Sequence, residues 1–244
     1  ETDTIPRAYR AQFSGGSSYI AFKITPGFDT LRTCELKEIK RPKWPKDSLG
    51  IYYLGQDSLA KYPKVKSFTT SDENDWMAVQ FQHNKLTEVP GKKKKKKKRR
   101  KNKDPEYDSD GKLLWVFHPD YSKEIQNVTG YFMSNEGDHV AYKTHRSMDD
   151  IDSVKVNFFS FTNRTVWTWK DQYTEVDIQA FNSQENQLAF YATQDTSEVK
   201  QYDIHLLAVD GSKHVHLDSA KIGFDIDHSI SPHYDLSFTM KDDI

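Results

Sequence analysis

One short pattern recurs five times along this 244-residue chain, and it constrains the fold more than any other feature. Each copy has a polar turn that begins with Ser, followed by a burst of apolar residues around an Ala or a Ser. The turn residues tolerate positive φ and hydrogen-bond locally, while the burst is typical of a strand covered on both faces. The five copies are Ser14–Phe22, Ser71–Val79, Ser134–Lys143, Ser183–Phe190 and Ser231–Phe238.

The spacing of the copies predicts β-propeller blades. Their central residues are Ala21, Ala78, Ala141, Ala189 and Ser237. Successive central residues lie 57, 63, 48 and 48 positions apart, and a four-stranded blade takes about 40 to 50 residues. Two loop insertions, residues 26–48 and residues 84–111, account for the two longer intervals.

Hairpin signals follow each of the first four bursts, as a blade requires after its inner strands. The hairpin of the fourth copy turns through Asp210-Gly211, a dipeptide typical of tight turns. No helical periodicity extends beyond about two turns, so we predict little helix. The paired segments are residues 49–54 with 58–63, 112–119 with 123–128, 156–161 with 165–169, and 202–209 with 213–217.

These signals predict an all-β fold made of four-stranded antiparallel propeller blades in an incomplete ring. The predicted blades are residues 11–68, 69–129, 130–178 and 179–227, with residues 228–244 beginning the next. Propellers close as rings of about four to eight blades, and the fifth burst reaches Ile244 without an outer hairpin, so we expect a larger parent protein. A β sandwich with coincidental turns is the alternative, although sandwiches do not usually repeat a pattern at this period.

The order of these segments resembles the N-terminal propeller of the prolyl oligopeptidase family of serine peptidases, particularly bacterial members near the dipeptidyl peptidase IV branch. The segments that carry the resemblance are AQFSGGSSYIAFKITP (11–26), PKDSLGIYYL (45–54), YPKVKSF (62–68), WMAVQF (76–81) and VTGYFMSNEGDHVAYKT (128–144). The resemblance covers most of the chain. Single blade sequences are shared with other propellers, such as the TolB and tricorn types, so the order and the Lys- and Pro-rich insertion are the better evidence.

The resemblance implies a non-catalytic role for this segment. In that family the propeller covers a C-terminal α/β-hydrolase domain and restricts access to short or unstructured peptides, and an exported, periplasmic location is implied. The chain has no G-x-S-x-G nucleophile elbow, so we predict no catalytic residue, cofactor site or metal site within it. The alternative function is a stand-alone, TolB-like propeller that binds a protein partner.

The charge of the chain is uneven. Residues 92–103, KKKKKKKRRKNK, hold 11 of the 35 basic side chains, which leaves 24 Lys and Arg against 36 Asp and Glu elsewhere. Such a run can neutralise phosphates, but no aromatic residue is interleaved to stack on bases. We therefore predict a solvated loop insertion, with nucleic-acid binding as the alternative. No apolar stretch is long enough for a membrane helix, and Cys34, the single cysteine, has no internal disulfide partner.

Three further groups of residues are candidate sites. His214 and His216 share one face of a strand, a spacing that zinc or copper sites use, but no third ligand is placed by spacing, so we interpret them as polar residues of an outer strand. Five aspartates near the ends of predicted strands are interpreted as parts of connecting turns, with a calcium-binding site as the alternative. The strand tryptophans are interpreted as packing between blades, with a carbohydrate or peptide platform as the alternative, and Trp44 is left open. The acidic residues are Asp149, Asp150, Asp152, Asp225 and Asp227, and the strand tryptophans are Trp76, Trp115, Trp167 and Trp169.

Overall fold

The fold is seen in a computed structural model, which describes residues 4–82, 112–148, 151–198 and 200–218. The chain divides into two compact units, and the boundary falls between Gln126 and Asn127. The lysine run and the start of the fifth blade lie outside the described residues. Within the described ranges, no helix combines the length and the apolar character that a membrane crossing needs.

The first unit contains two antiparallel sets of four strands. The strands are β1 (Ala8–Phe13), β2 (Tyr19–Ile24), β3 (Ser48–Tyr53), β4 (Ser58–Tyr62), β5 (Val65–Thr70), β6 (Met77–Phe81), β7 (Lys112–His118) and β8 (Tyr121–Met133). The first set is a separate sheet of order β1-β2-β3-β4, and the second, of order β5-β6-β7-β8, is one half of a seven-stranded sheet that continues through β8. Only the first part of β8 belongs to this unit, and we treat each set of four strands as one sheet.

The second unit repeats this arrangement. The remainder of β8 pairs with β9 and continues the seven-stranded sheet through β10 and β11, and a separate four-stranded sheet has the order β12-β13-β14-β15. Strand β8 is therefore shared: its first half is the fourth strand of one set of four, and its second half is the first strand of the next. The remaining strands are β9 (His139–Met148), β10 (Ile151–Ser160), β11 (Thr165–Thr168), β12 (Glu175–Phe181), β13 (Gln187–Thr193), β14 (Asp203–Ala208) and β15 (His214–Leu217).

The prediction of four-stranded antiparallel blades is confirmed, and all four predicted hairpins form. The sheets begin a few residues earlier than the predicted blades, because each includes the strand that precedes the Ser-led turn. The predicted starts at 69, 130 and 179 fall inside β5, β8 and β12. The sheets observed span residues 8–62, 65–126, 127–168 and 175–217.

The recurrent burst is the second strand of every sheet. In each of the four described copies, the central alanine pairs with the residue nine positions earlier, on the first strand, and is at most 2% exposed. Each first strand also has a register shift, which is typical of a β-bulge. The pairs are Gln12 with Ala21, Thr69 with Ala78, Phe132 with Ala141, and Ala180 with Ala189.

The first residue of the pattern caps the turn between the first two strands. The Ser134 Oγ accepts hydrogen bonds from the backbone N–H groups of Asp138 and His139, at 3.1 and 3.0 Å, and Ser14 Oγ does the same for Ser18 and Tyr19. In the fourth copy the equivalent residue is Asn182, whose Oδ1 accepts from the Gln187 N–H at 2.9 Å. The pattern there begins one residue earlier than the predicted Ser183.

Loss of this cap is expected to be measurable. Ser134 is 1% exposed, so Ser134→Ala removes an acceptor for two N–H groups and should lower the free energy of unfolding by about 1 to 2 kcal/mol. Urea denaturation measures the change. Thr162→Ala, in an exposed turn of the same unit, serves as the control and should change stability by less than about 0.5 kcal/mol. Equal effects of the two substitutions would contradict the capping role.

Each unit has its own apolar core. Trp115 is 5% exposed and packs in the first core against Tyr62 and Phe117, whereas Trp169 is 6% exposed and lies in the second core. Trp167 packs against the second core and Trp76 is 8% exposed. The strand tryptophans therefore contribute to packing, and Trp115 packs between sheets through Tyr62.

The insertion after β2 is structured. It contains α1 (Phe28–Leu36) and a one-turn 3₁₀ helix (Arg41–Lys43), which the sequence analysis did not predict. The Trp44 Nε1 donates a 2.6 Å hydrogen bond to the Ile39 carbonyl, and the Arg41 guanidinium lies 4.5 Å from the centre of its ring. Trp44, left open by the sequence, therefore packs within the insertion, where the free Cys34 is also buried.

Within each unit a lysine joins neighbouring sheets. Lys23 Nζ donates to the Lys66 carbonyl at 2.7 Å, and Lys143 Nζ donates to the Val176 carbonyl at 2.5 Å. Each lysine lies two positions after the central alanine of its copy and each acceptor lies on the first strand of the next sheet. Burial lowers the pKa of Lys23, so its hydrogen bond offsets part of the desolvation of the amine.

Carboxylates join the turns of the same neighbouring sheets. In the first unit, Asp75 accepts hydrogen bonds from the Ser18 Oγ at 2.5 Å and from the Ser18 N–H at 3.3 Å. In the second unit, Glu185 accepts from the N–H groups of Glu136 and Asp138, at 2.6 and 3.4 Å. In both units the carboxylate comes from the later turn and the N–H groups from the earlier one, so each pair of sheets is held together at the turns.

The substitution Asp75→Asn tests this contact through its pH dependence. Burial would raise the pKa of Asp75, but hydrogen bonds from Ser14 and Ser18 outweigh it and the pKa is lowered. The Asp75 carboxylate therefore stabilises the folded protein fully above the pKa that Asp75 has in the unfolded chain. This stabilisation is lost as the pH falls through the lower pKa that Asp75 has in the folded protein. At pH 7 the substitution should cost about 1 kcal/mol, and the difference from wild type should shrink as the pH falls below 3.8.

Urea denaturation across that pH range measures the effect. Asp72→Asn, an exposed change in the same turn, is the matched control and should alter stability by less than about 0.5 kcal/mol at every pH. A difference between D75N and wild type that stays constant from neutral to strongly acidic pH would contradict the proposed charge-assisted contact.

Candidate functional site

The strands β14 and β15 bring three histidines onto one face of the last sheet. In the register, His205 lies directly opposite Phe190 of β13 on one side and His216 of β15 on the other. His214 lies two residues before His216 on the same strand, so its side chain emerges on the same face. This face therefore carries an apolar ring on β13 and imidazole rings on β14 and on the edge strand β15.

The three rings are nearly parallel. The planes of His205 and His214 differ by 5° with centroids 5.1 Å apart, and those of His205 and His216 differ by 12° at 4.8 Å. Phe190 continues the stack on the other side of His205, at 5.0 Å and 10°. His205 is thus held by rings on both sides, and Tyr173 contacts its edge at 5.2 Å and 67°.

Hydrogen bonds fix the orientation of these rings. His205 Nδ1 lies 2.9 Å from His214 Nε2, and His216 Nε2 lies 2.9 Å from the Asp203 carboxylate. In the first pair one ring nitrogen donates and the other accepts, so the tautomer of one ring determines that of the other. The second pair is an Asp–His contact between facing strands.

The three histidines differ in how far they are buried. His205 is 5% exposed, and burial, with the neighbouring His216 and His214, lowers its pKa to about 3. Burial also lowers the pKa of His214. The side chains of His216 and Asp203 are 40% and 38% exposed, so the cluster has a buried neutral end and an end open to solvent.

The ligand atoms of Asp203, His205 and His216 all lie within 4.8 Å of one another. Two imidazoles and one carboxylate are a donor set that divalent zinc and copper accept. The spacing around His214 and His216 predicted no third ligand, and the structure places Asp203 and His205 beside His216. Both additional groups come from β14, thirteen and eleven residues before His216.

The sequence contained a signal for this arrangement. The hairpin of residues 202–209 and 213–217 is predicted with a turn at Asp210-Gly211, and that turn places residue 205 opposite residue 216. The register of the hairpin could therefore have found His205, whereas its packing against Phe190 and Tyr173 depends on other strands.

Two further acidic residues of the described part of the chain lie in a turn and a strand. Asp210 caps the hairpin turn by accepting from the Ser212 N–H at 2.9 Å. Asp152 lies within β10. Asp149, Asp150, Asp225 and Asp227 lie outside the described residues, as does the lysine run 92–103, so their interpretations remain predictions.

Comparisons with known proteins found similarity to solved structures alone. No protein-family model matches the chain and no curated protein matches it. The β-propeller domain of the trilobed protease from Pyrococcus furiosus is 11% identical over 86% of this chain, with a TM-score of 0.47, and the chain spans 57% of it.

Two further matches are of the same kind. A structure from an analysis of two prolyl endopeptidases is 10% identical over 86% of this chain, with a TM-score of 0.43 and 27% of its own length covered. TolB from Acinetobacter baumannii is 9% identical over 86% of the chain, with a TM-score of 0.39 and 43% covered. The chain spans less than two thirds of the length of each of these three structures.

Proposed function

We propose that this chain is the non-catalytic propeller portion of a serine peptidase of the prolyl oligopeptidase type. In this proposal the blades form one wall of a substrate chamber and restrict entry to short or unstructured peptides. The catalytic α/β-hydrolase domain lies C-terminal to this segment in the parent protein, which is exported.

The observation that carries the proposal is the uniform construction of the four described sheets. Each has the same second-strand alanine at the same register, and the segments that build them occur in the order that resembles this peptidase family. The lysine and carboxylate contacts between neighbouring sheets of each unit support a wall role, because a wall that excludes large substrates must resist opening.

Two experiments test the proposal. The purified 244-residue chain should not hydrolyse peptide nitroanilides above the buffer rate, and hydrolysis by the chain alone would contradict a non-catalytic role. The coding sequence beyond Ile244 should contain G-x-S-x-G followed by Asp and His. A downstream sequence without these residues would instead support the TolB-like binding propeller.

The wall role has its own test in the full-length gene product. Asp75→Asn loosens one contact between sheets without touching the catalytic domain, so kcat/KM for a tripeptide nitroanilide should stay within about twofold of wild type. Cleavage of a long, unstructured polypeptide should increase. Asp72→Asn is the control for both substrates. Unchanged selectivity in D75N, with its stability reduced as expected, would contradict restriction of access by the propeller.

A further inference from the structure

We infer that Asp203, His205 and His216 form a binding site for one divalent transition-metal ion, of which zinc is the best match. The inference rests on the histidine cluster alone and is independent of the proposed peptidase role. The site would join β14 to β15, the outer hairpin of the last described sheet.

The donor atoms are already close to the geometry of a tetrahedral zinc site. Zinc binds imidazole nitrogen and carboxylate oxygen at about 2.0 to 2.2 Å, which places neighbouring ligand atoms about 3.3 Å apart. The His216 Nε2 and the Asp203 carboxylate lie 2.9 Å apart, and all three ligand atoms lie within 4.8 Å of one another. Shifts of about an ångström in the ends of these side chains would bring the three ligand atoms to zinc-binding distances. The backbones of the two strands need not move apart.

The surroundings supply the support that ligating histidines usually have. A metal-bound imidazole generally uses its other nitrogen for a hydrogen bond that fixes its tautomer. If His205 ligates through Nε2, its Nδ1 remains bonded to His214 Nε2 at 2.9 Å. Phe190 stacks on the ring of His205 and Tyr173 contacts its edge, so the least exposed ligand is held in place before the metal arrives.

The remaining ligands give the ion a path from solvent. The side chains of His216 and Asp203 are 40% and 38% exposed. Three protein ligands with one open side leave a position for water, which is the arrangement of zinc sites that are not fully closed. The structure therefore assigns this cluster a three-ligand site with a fourth, exchangeable position.

Calorimetric titration of the chelator-treated 244-residue chain with zinc chloride tests the assignment. We expect one site per chain, and His216→Gln, an exposed change that should leave the fold intact, should weaken it at least about tenfold. Asp203→Asn should act in the same direction. His118→Gln, which removes a histidine of the first unit, and Asp210→Asn, which removes a carboxylate of the same hairpin, are matched controls and should leave the affinity unchanged.

A spectroscopic readout identifies the ligands. Cu²⁺ added at one equivalent should give an electron paramagnetic resonance spectrum with hyperfine coupling to two imidazole nitrogens, and H216Q should reduce this to one. His214→Phe keeps an aromatic ring in the stack but removes the hydrogen bond to His205, and should weaken zinc binding about tenfold. Absence of stoichiometric binding to wild type, or equal binding by wild type, H216Q and D203N, would overturn the assignment.

Discussion

Replacing Phe190 with alanine is expected to lower the free energy of unfolding by about 3 to 5 kcal/mol. The side chain is fully buried in the core of the second unit, where it packs against the rings of Tyr173 and His205. Truncation removes these contacts and leaves a cavity beside a histidine that is itself 5% exposed. Since domains are stable by only about 5 to 15 kcal/mol, this one change should remove a large part of the total.

Denaturation in urea, followed by tryptophan fluorescence, measures the loss. Val166→Ala is the matched control, because it also shortens an apolar side chain in the second unit but at a position that is 42% exposed, and it should cost less than about 1 kcal/mol. A loss below about 1 kcal/mol for F190A would mean that Phe190 is not a central element of this core.

A second large effect is expected at an exposed glycine. Gly15 lies in the first Ser-led turn, and a Cβ added there would overlap with the backbone N of Glu73 and come 2.5 Å from the backbone C and O of Asp72. Backbone atoms cannot rotate away as a side chain can, so Gly15→Ala must move one turn from the other. It should also strain the hydrogen bond from the Gly15 N–H to the Ser71 carbonyl. We expect a loss of about 3 kcal/mol, the upper end for overpacking.

Gly55→Ala provides a control of opposite sign. Nothing lies within 4 Å of a Cβ added at Gly55, so alanine should be neutral there or stabilise the chain by up to about 1 kcal/mol through the unfolded state. Thermal unfolding of the two variants and the wild type measures the difference. Equal midpoints for G15A and G55A would show that the two turns of the first unit do not touch as closely as the structure has them.

The contact at Gly15 also explains why the polar turns recur. Each described turn is capped by its own first residue, and within each unit the turns of neighbouring sheets then bond to each other through Asp75 or Glu185. The recurrent pattern therefore serves two purposes, since it closes the first hairpin of a sheet and provides the groups that hold the next sheet.

The sequence by itself determined the hairpins and the identity of the second strands. Ser, Asn and Gly in the turns and the apolar bursts act through neighbours less than about ten positions away, so their effect is visible in the pattern. The strand before each turn has a weaker pattern of its own, which is why the predicted blade starts at 69, 130 and 179 fall inside β5, β8 and β12.

Only the tertiary structure decided which distant groups meet. Asp75 bonds Ser18 across 57 positions, Lys143 reaches Val176 across 33, and His205 is enclosed by Tyr173 and Phe190. These contacts depend on how strands pair and sheets pack, which no short window of sequence specifies. The histidine cluster shows both contributions. The hairpin register alone brings His205 opposite His216. The burial of His205, which lowers its pKa, comes from residues of other strands.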